Sequence, residues 1–214
     1  MVEGLNRIRR FPEDQYTIRQ RIFDVASACA MGYMLGIAFK IFEKTPVLSH
    51  LCGSLETWIL LATLVICWSR TPLAATLNVL SFFLAILGGY CMYQKEIVGF
   101  IPSDTIVIWM TYSLIMPFLG LLLWYARGEG WAAAILAALP ISILMSRGLD
   151  SLGGLFHETF FDVVAGVLLI WILPQLAKQR IKVIITSTVL TVLLYQSGMV
   201  TAIILEVQEY LASI

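Results

Sequence analysis

Charge is what this sequence has least of. Only 13% of its 214 residues are Asp, Glu, Lys or Arg, against about 25% in soluble domains. Too few charges remain to solvate a globular surface, so water is excluded as the solvent for most of the chain. Histidine is nearly absent: His50 and His157 are the only two. The four cysteines, Cys29, Cys52, Cys67 and Cys91, form no CxxC pair and no zinc spacing. Three of them, Cys29, Cys67 and Cys91, lie inside apolar runs and read as small inert hydrophobes. Nucleotide-binding signatures are missing, as is a GxSxG elbow. His157-Glu158 begins like a zinc protease helix, but position 161 is Phe161 where HExxH needs its second histidine. The last apolar run has no mid-span lysine for a retinal Schiff base. No cleavable secretory leader is evident, because the apolar run after the Arg-rich start is too long for one. The sequence therefore predicts no metal, no cofactor and no nucleic-acid partner.

What is abundant is hydrocarbon. Hydrophobic residues make up 59% of the chain and mean hydropathy is +0.87. Seven apolar runs are legible: 22–42, 51–69, 73–94, 105–125, 131–146, 159–177 and 183–207. A spanning helix needs about 20 residues, with a range of about 17–25. The second run spans only if Glu56 enters membrane depth, and the fifth only with little tilt. The predicted fold class is all-α, an integral membrane bundle of about seven transmembrane helices. Its parts are a basic cytoplasmic arm over 1–21, one transmembrane domain over 22–207, and a short outer tail over 208–214. The arm reads equally well as an amphipathic surface helix or as irregular chain.

Lys and Arg set the orientation. With the N-terminus inside, ten of the 14 fall on the cytoplasmic side: Arg7, Arg9, Arg10, Arg19, Arg21, Arg70, Arg127, Lys178, Arg180 and Lys182. Lys40, Lys44, Lys95 and Arg147 fall outside. The C-terminus is then outside as well. Losing the fifth span would move the last three cytoplasmic cations outward, so the bias itself argues that this run crosses. Pro117, Pro140 and Pro174 lie in or at the ends of runs and can kink them. The six tryptophans mostly sit near run ends, as an interfacial belt would.

Polar groups at membrane depth need partners, which makes them informative. Glu56 lies about 21 Å above Arg70, and Asp162 about 24 Å above Lys178, at 1.5 Å per helical residue. Both then belong to the outer part of a hydrocarbon layer about 30 Å thick. Glu158 and Asp162 share a helix face. Lys40, Glu56, Arg147, Asp150, His157, Glu158 and Asp162 outline an outward-facing polar pocket, of which all but Lys40 are candidate substrate-binding residues. The plainer reading is that these charges cap helix ends. Near the inner ends, Asp24 reads as a partner of Arg21 or a helix-start acid. Asn78 and Gln196 read as interhelical hydrogen bonders. Ala28, Gly32 and Gly36 recur every four residues, giving a small-residue stripe for close helix packing, within the bundle or against another subunit.

Several stretches are distinctive: 56–83 with its Ser69-Arg70-Thr71-Pro72 turn, Gly89-Tyr90-Cys91-Met92-Tyr93, Gly99-Phe100-Ile101-Pro102, and Trp124-Tyr125-Ala126-Arg127-Gly128-Glu129-Gly130-Trp131. Together they resemble an uncharacterised family of small multi-pass membrane proteins from low-GC Gram-positive bacteria. The resemblance covers roughly residues 30–145 and implies a bacterial plasma membrane, but no activity. Three functional readings follow from the residues. The first is a small-solute transporter or substrate-binding membrane subunit using the outer pocket. The second is a non-catalytic accessory or sensory protein working through helix contacts and its basic arm, with a membrane protein or a second copy as partner. The third is an intramembrane enzyme using His157, Glu158 and Asp162.

Overall fold

A computed structural model describes residues 8–9, 17–43, 45, 51–52, 54–99, 103–150, 160–199 and 202. Among these there are seven α-helices and no strand: α1 (Ile18–Phe42), α2 (Leu55–Trp68), α3 (Pro72–Tyr93), α4 (Ser103–Leu123), α5 (Gly130–Asp150), α6 (Phe160–Ile172) and α7 (Ala177–Ser197). A π-turn, Gln94–Val98, extends α3, and a 3-10 turn, Trp124–Arg127, follows α4. The protein is an all-α helical bundle. Four segments are long and apolar enough to cross a membrane by length and composition: Ile18–Phe42, Pro72–Ile97, Ile106–Arg127 and Gly130–Leu149. Helices α2 and α6 are apolar but shorter, at 14 and 13 residues.

Local chemistry sets the helix ends. Thr17 caps α1, and Gln20 returns the bond to the cap's own N–H, so two orphan donors are satisfied at once. Ser54 and Thr71 cap α2 and α3, and Pro72 opens α3 where its missing N–H does no harm. Gly99 and Gly198 close their helices in the left-handed region, at φ 78° and 60°. The largest shifts between run and helix fall in the last two. Helix α6 stops at Ile172, short of the predicted 177, because Pro174 disfavours helix for the residue before it. Helix α7 starts six residues before its apolar run, since Lys178, Arg180 and Lys182 are good helix formers despite their charge.

The described residues fall into two compact units, one drawn from Pro12–Leu121, the other from Leu122–Ser213 with Met1–Phe11. In the first unit, α1 and α3 run parallel and touch backbone to backbone. A Cβ on Gly32 would lie 2.2 Å from the Phe82 carbonyl oxygen, and one on Gly36 2.0 Å from that of Ile86. Gly89 faces the Tyr33 carbonyl just as closely, at 2.2 Å. Three glycines thus let two helices approach beyond the reach of any side chain. Helices α2 and α4 return antiparallel to α3, through Asn78–Ser69 and Trp58–Phe83 for α2 and Tyr90–Trp109 and Gly120–Thr76 for α4. The core here is aromatic: Trp58 stacks on Phe83 at 4.7 Å and meets Trp109 and Tyr112 edge-on at 5.2 and 5.6 Å. Phe23 and Met34 of α1 are exposed, apolar surface suited to lipid rather than water.

In the second unit, α5 packs on α6 and on α7. The Gln179 amide lies across Gly130, accepting from its N–H at 3.1 Å and donating to its carbonyl at 2.7 Å. Further along both helices the Thr186 hydroxyl lies 3.2 Å from the Ala134 carbonyl, so α5 and α7 are parallel. The N-terminal segment docks here as well. Arg9 donates to the Trp124 carbonyl at 2.6 Å and stacks its guanidinium 3.9 Å above the Trp124 ring, while Glu129 N–H donates to the Ile8 carbonyl at 2.8 Å. The tryptophan belt is only half present. Trp58, Trp109 and Trp124 are buried in protein, and only Trp68, Trp131 and Trp171 are exposed.

Candidate functional site

The sequence-predicted pocket residues are divided between the two units. Glu56 is buried in the first turn of α2, in the first unit. Arg147 lies in the last turn of α5 and Asp162, buried, in the first turn of α6, both in the second unit. Asp150 ends α5. His157 and Glu158 lie outside the described residues. Both buried acids sit at helix starts, where the positive end of the helix dipole favours a carboxylate. Lys40 meets Glu43, three residues on, in a hydrogen-bonded ion pair, and Tyr90 OH lies 3.4 Å from each partner. Among the described residues no three His, Cys, Asp or Glu side chains are grouped as a metal would need.

The first unit contains a cavity of about 300 Å³. Helix α1 contributes Asp24, Ser27, Ala28 and Met31 to its wall, α2 Val65 and Trp68, and α3 Asn78 and Phe82. The topology explains the position. Parallel α1 and α3 both start at this end and antiparallel α2 finishes here, so polar residues two turns inside α1 and α3 meet the capped end of α2. Gly32 and Gly36 lie against the backbone of α3, and Ala28, one turn before Gly32, lines the cavity.

The wall is mostly apolar with one polar edge, and the hydrogen bonds there have a direction. Ser69 Oγ–H donates to the Val65 carbonyl at 2.9 Å, so Ser69 Oγ accepts from Asn78 Nδ2 at 3.0 Å. That turns the amide so that Asn78 Oδ1 has no hydrogen-bond partner, although Asn78 is only 6% exposed. Leaving a buried acceptor unmet costs about 1–3 kcal/mol. Ser27 Oγ–H is spent on the Asp24 backbone carbonyl at 2.8 Å.

No protein-family model, curated protein or solved structure matches this chain. The site must therefore be read from its own chemistry. Its wall brings the polar residues Asp24, Ser27 and Asn78 together with two aromatic residues, Trp68 and Phe82, and with aliphatic groups. Ser27 and Asp24 share the wall, with the Ser27 hydroxyl directed to the Asp24 backbone carbonyl.

Sequence reasoning assigned Asp24 to Arg21 and Asn78 to a bond between helices, and so missed the cavity. The bond exists, to Ser69 at the end of α2. The signal was present: Asp24 lies seven residues after the Thr17 cap and Asn78 seven after the Thr71 cap, so both occupy one depth if α1 and α3 are parallel.

Proposed function

We propose that this chain is a multi-pass protein of a bacterial plasma membrane that binds a small solute in the α1–α2–α3 cavity. It would serve as a transporter or as the substrate-binding subunit of one. All seven helices cross, with the N-terminus cytoplasmic and the C-terminus outside, and the ten-to-four split of Lys and Arg supports this orientation. The cavity then opens in the cytoplasmic half, at the level flanked by Arg21 and Arg70. The observation that carries the binding reading is Asn78 Oδ1, a buried acceptor without a partner at the wall of a roomy cavity. An accessory role through the basic arm is less favoured, because Arg9 is taken up by Trp124.

A thermal-shift screen of the purified protein against small amines, sugars, carboxylates and amino acids tests the reading. A ligand present at 100 times its Kd contributes about 2.7 kcal/mol to the folded state. At least one class should stabilise the native protein, and Ala28→Leu, which fills the cavity, should abolish the shift. Hits that survive Ala28→Leu, or no hits at all, would remove the cavity as a solute site.

A further inference from the structure

The start of α7 gathers positive charge. Lys178, Arg180 and Lys182 fall in its first two turns, and the first turn holds no acid. A helix start favours carboxylates over cations, so helix stability does not explain their position. Among the described residues no carboxylate pairs with any of the three. Glu129, the described acid at this end of the unit, is exposed and holds none of them.

Two of the cations lie over exposed indoles instead. The Arg180 guanidinium is 4.2 Å from the centre of the Trp171 ring at the end of α6, and Lys182 Nζ is 5.7 Å from that of Trp131 at the start of α5. Trp171 is 63% exposed and Trp131 56%. Exposed indoles at helix ends suit the headgroup level of a bilayer. Here that level is the cytoplasmic one, which rests on the orientation proposed above. Further along α6, Val164, Val167 and Leu168 are exposed at spacings of three and four from Trp171, so they continue one apolar stripe from the indole. Helices α6 and α7 both pack on α5 and touch one another much less. An acyl chain lying along the stripe would bring its headgroup phosphate to Arg180. That side chain is half-buried, with Nε enclosed and the terminal nitrogens not. A guanidinium stacked on a ring keeps its fork of donors in plane for the paired oxygens of a phosphate.

We propose that the α6–α7 corner binds the phosphate of an anionic phospholipid of the inner leaflet. Arg180 on Trp171 is the fork, Lys178 and Lys182 add charge, and the α6 stripe carries the acyl chain. A zwitterionic lipid has the same phosphate but brings its own ammonium among three cations.

Native mass spectrometry of the full-length protein in mild detergent tests this, with equal amounts of phosphatidylglycerol and phosphatidylcholine of matched chains. Phosphatidylglycerol should bind about tenfold tighter or more, since each cation near anionic lipid counts for about fivefold. Arg180→Gln should lower that preference about fivefold. Arg180→Lys keeps the charge but loses the fork and the stacking, so it should fall nearly as far. Lys95→Gln, which removes an exposed cation from the first unit, should change nothing. Glycerol 3-phosphate in excess should not displace the lipid, having no chain to lie on α6. Circular dichroism checks the fold of each variant, and the lipid ranking of the native protein decides alone if one does not fold.

Equal binding of the two lipids would overturn the site. So would an unaltered preference in Arg180→Lys or an equal loss in Lys95→Gln, either of which means general charge attraction. Displacement by glycerol 3-phosphate would mean a site for free phosphate rather than for lipid. Orientation is read separately, with Gln175→Cys and an impermeant maleimide on intact cells, against the unmodified protein. Labelling from outside with the lipid preference intact would overturn the orientation and the inner leaflet but leave the headgroup site. Labelling only after the membrane is opened, with no lipid preference, would overturn the site and keep the orientation.

Discussion

Neighbouring residues can differ sharply in what they tolerate. Gly88 and Gly89 are adjacent on α3. A Cβ at Gly88 meets nothing within 4 Å, whereas one at Gly89 would lie 2.2 Å from the Tyr33 carbonyl oxygen. Gly88→Ala should leave the melting temperature unchanged or raise it slightly, and Gly89→Ala should cost about 1–3 kcal/mol, the usual penalty for overpacking. Equal melting temperatures for the two variants would contradict the backbone contact between α1 and α3. Trp58 gives a second contrast. Its ring is fully buried between Phe83, Trp109 and Tyr112, yet its Nε1–H finds no acceptor. Replacing it with Phe removes an unmet donor and keeps an aromatic ring, so Trp58→Phe should be tolerated to within about 1.5 kcal/mol. Trp58→Ala opens a cavity and should cost about 3–5 kcal/mol. Urea or thermal unfolding in detergent reads both. Sequence alone could not sort Trp58 from Trp68, since both lie near run ends. Only the aromatic residues supplied by α3 and α4 decide which is core.

Between elements, polar side chains set register where apolar surface is nearly featureless. The Gln179 amide satisfies both backbone groups of Gly130, whose φ of 94° already places it outside the helical region. Gln179→Ala should leave the part-buried N–H and carbonyl of Gly130 without this partner and destabilise the unit by about 1 kcal/mol. Hydrogen exchange at the start of α5 should rise in step, and unchanged exchange there would show that Gln179 is not what fixes this end. Helix existence was readable from hydropathy because each run is apolar over many consecutive residues. The ends of α6 and α7 were less so, since Pro174 and the Lys178–Lys182 cations act on the backbone rather than on hydropathy. The cavity was hidden for a different reason: Asp24 and Asn78 are 54 positions apart, and only the parallel packing of α1 and α3 brings their depths together. Both units use one construction. A short helix with a buried acid in its first turn, Glu56 or Asp162, separates two longer helices that lie parallel and in contact.

For the molecule as a whole, the proposed topology makes a direct prediction. A cysteine placed at Glu209 should react with a membrane-impermeant maleimide from outside intact cells, and one at Arg127 only after the membrane is opened. Labelling of position 209 from the cytoplasmic side alone would mean an even number of spans. Arg9 ties the start of the chain to Trp124, more than a hundred residues away. Arg9→Lys keeps the charge but loses the flat guanidinium that stacks on indole, so it should loosen the N-terminal segment to proteases nearly as much as Arg9→Ala does. The glycine contacts of α1 also bear on how the protein is made. Gly36 finds its mate only at Ile86, fifty residues later. At about 5–20 residues per second, a ribosome needs roughly 3–10 s to deliver that partner. For that interval α1 has synthesised its tightest interface and has nothing to close it with. Its glycine face is then open to any neighbouring helix in the insertion site.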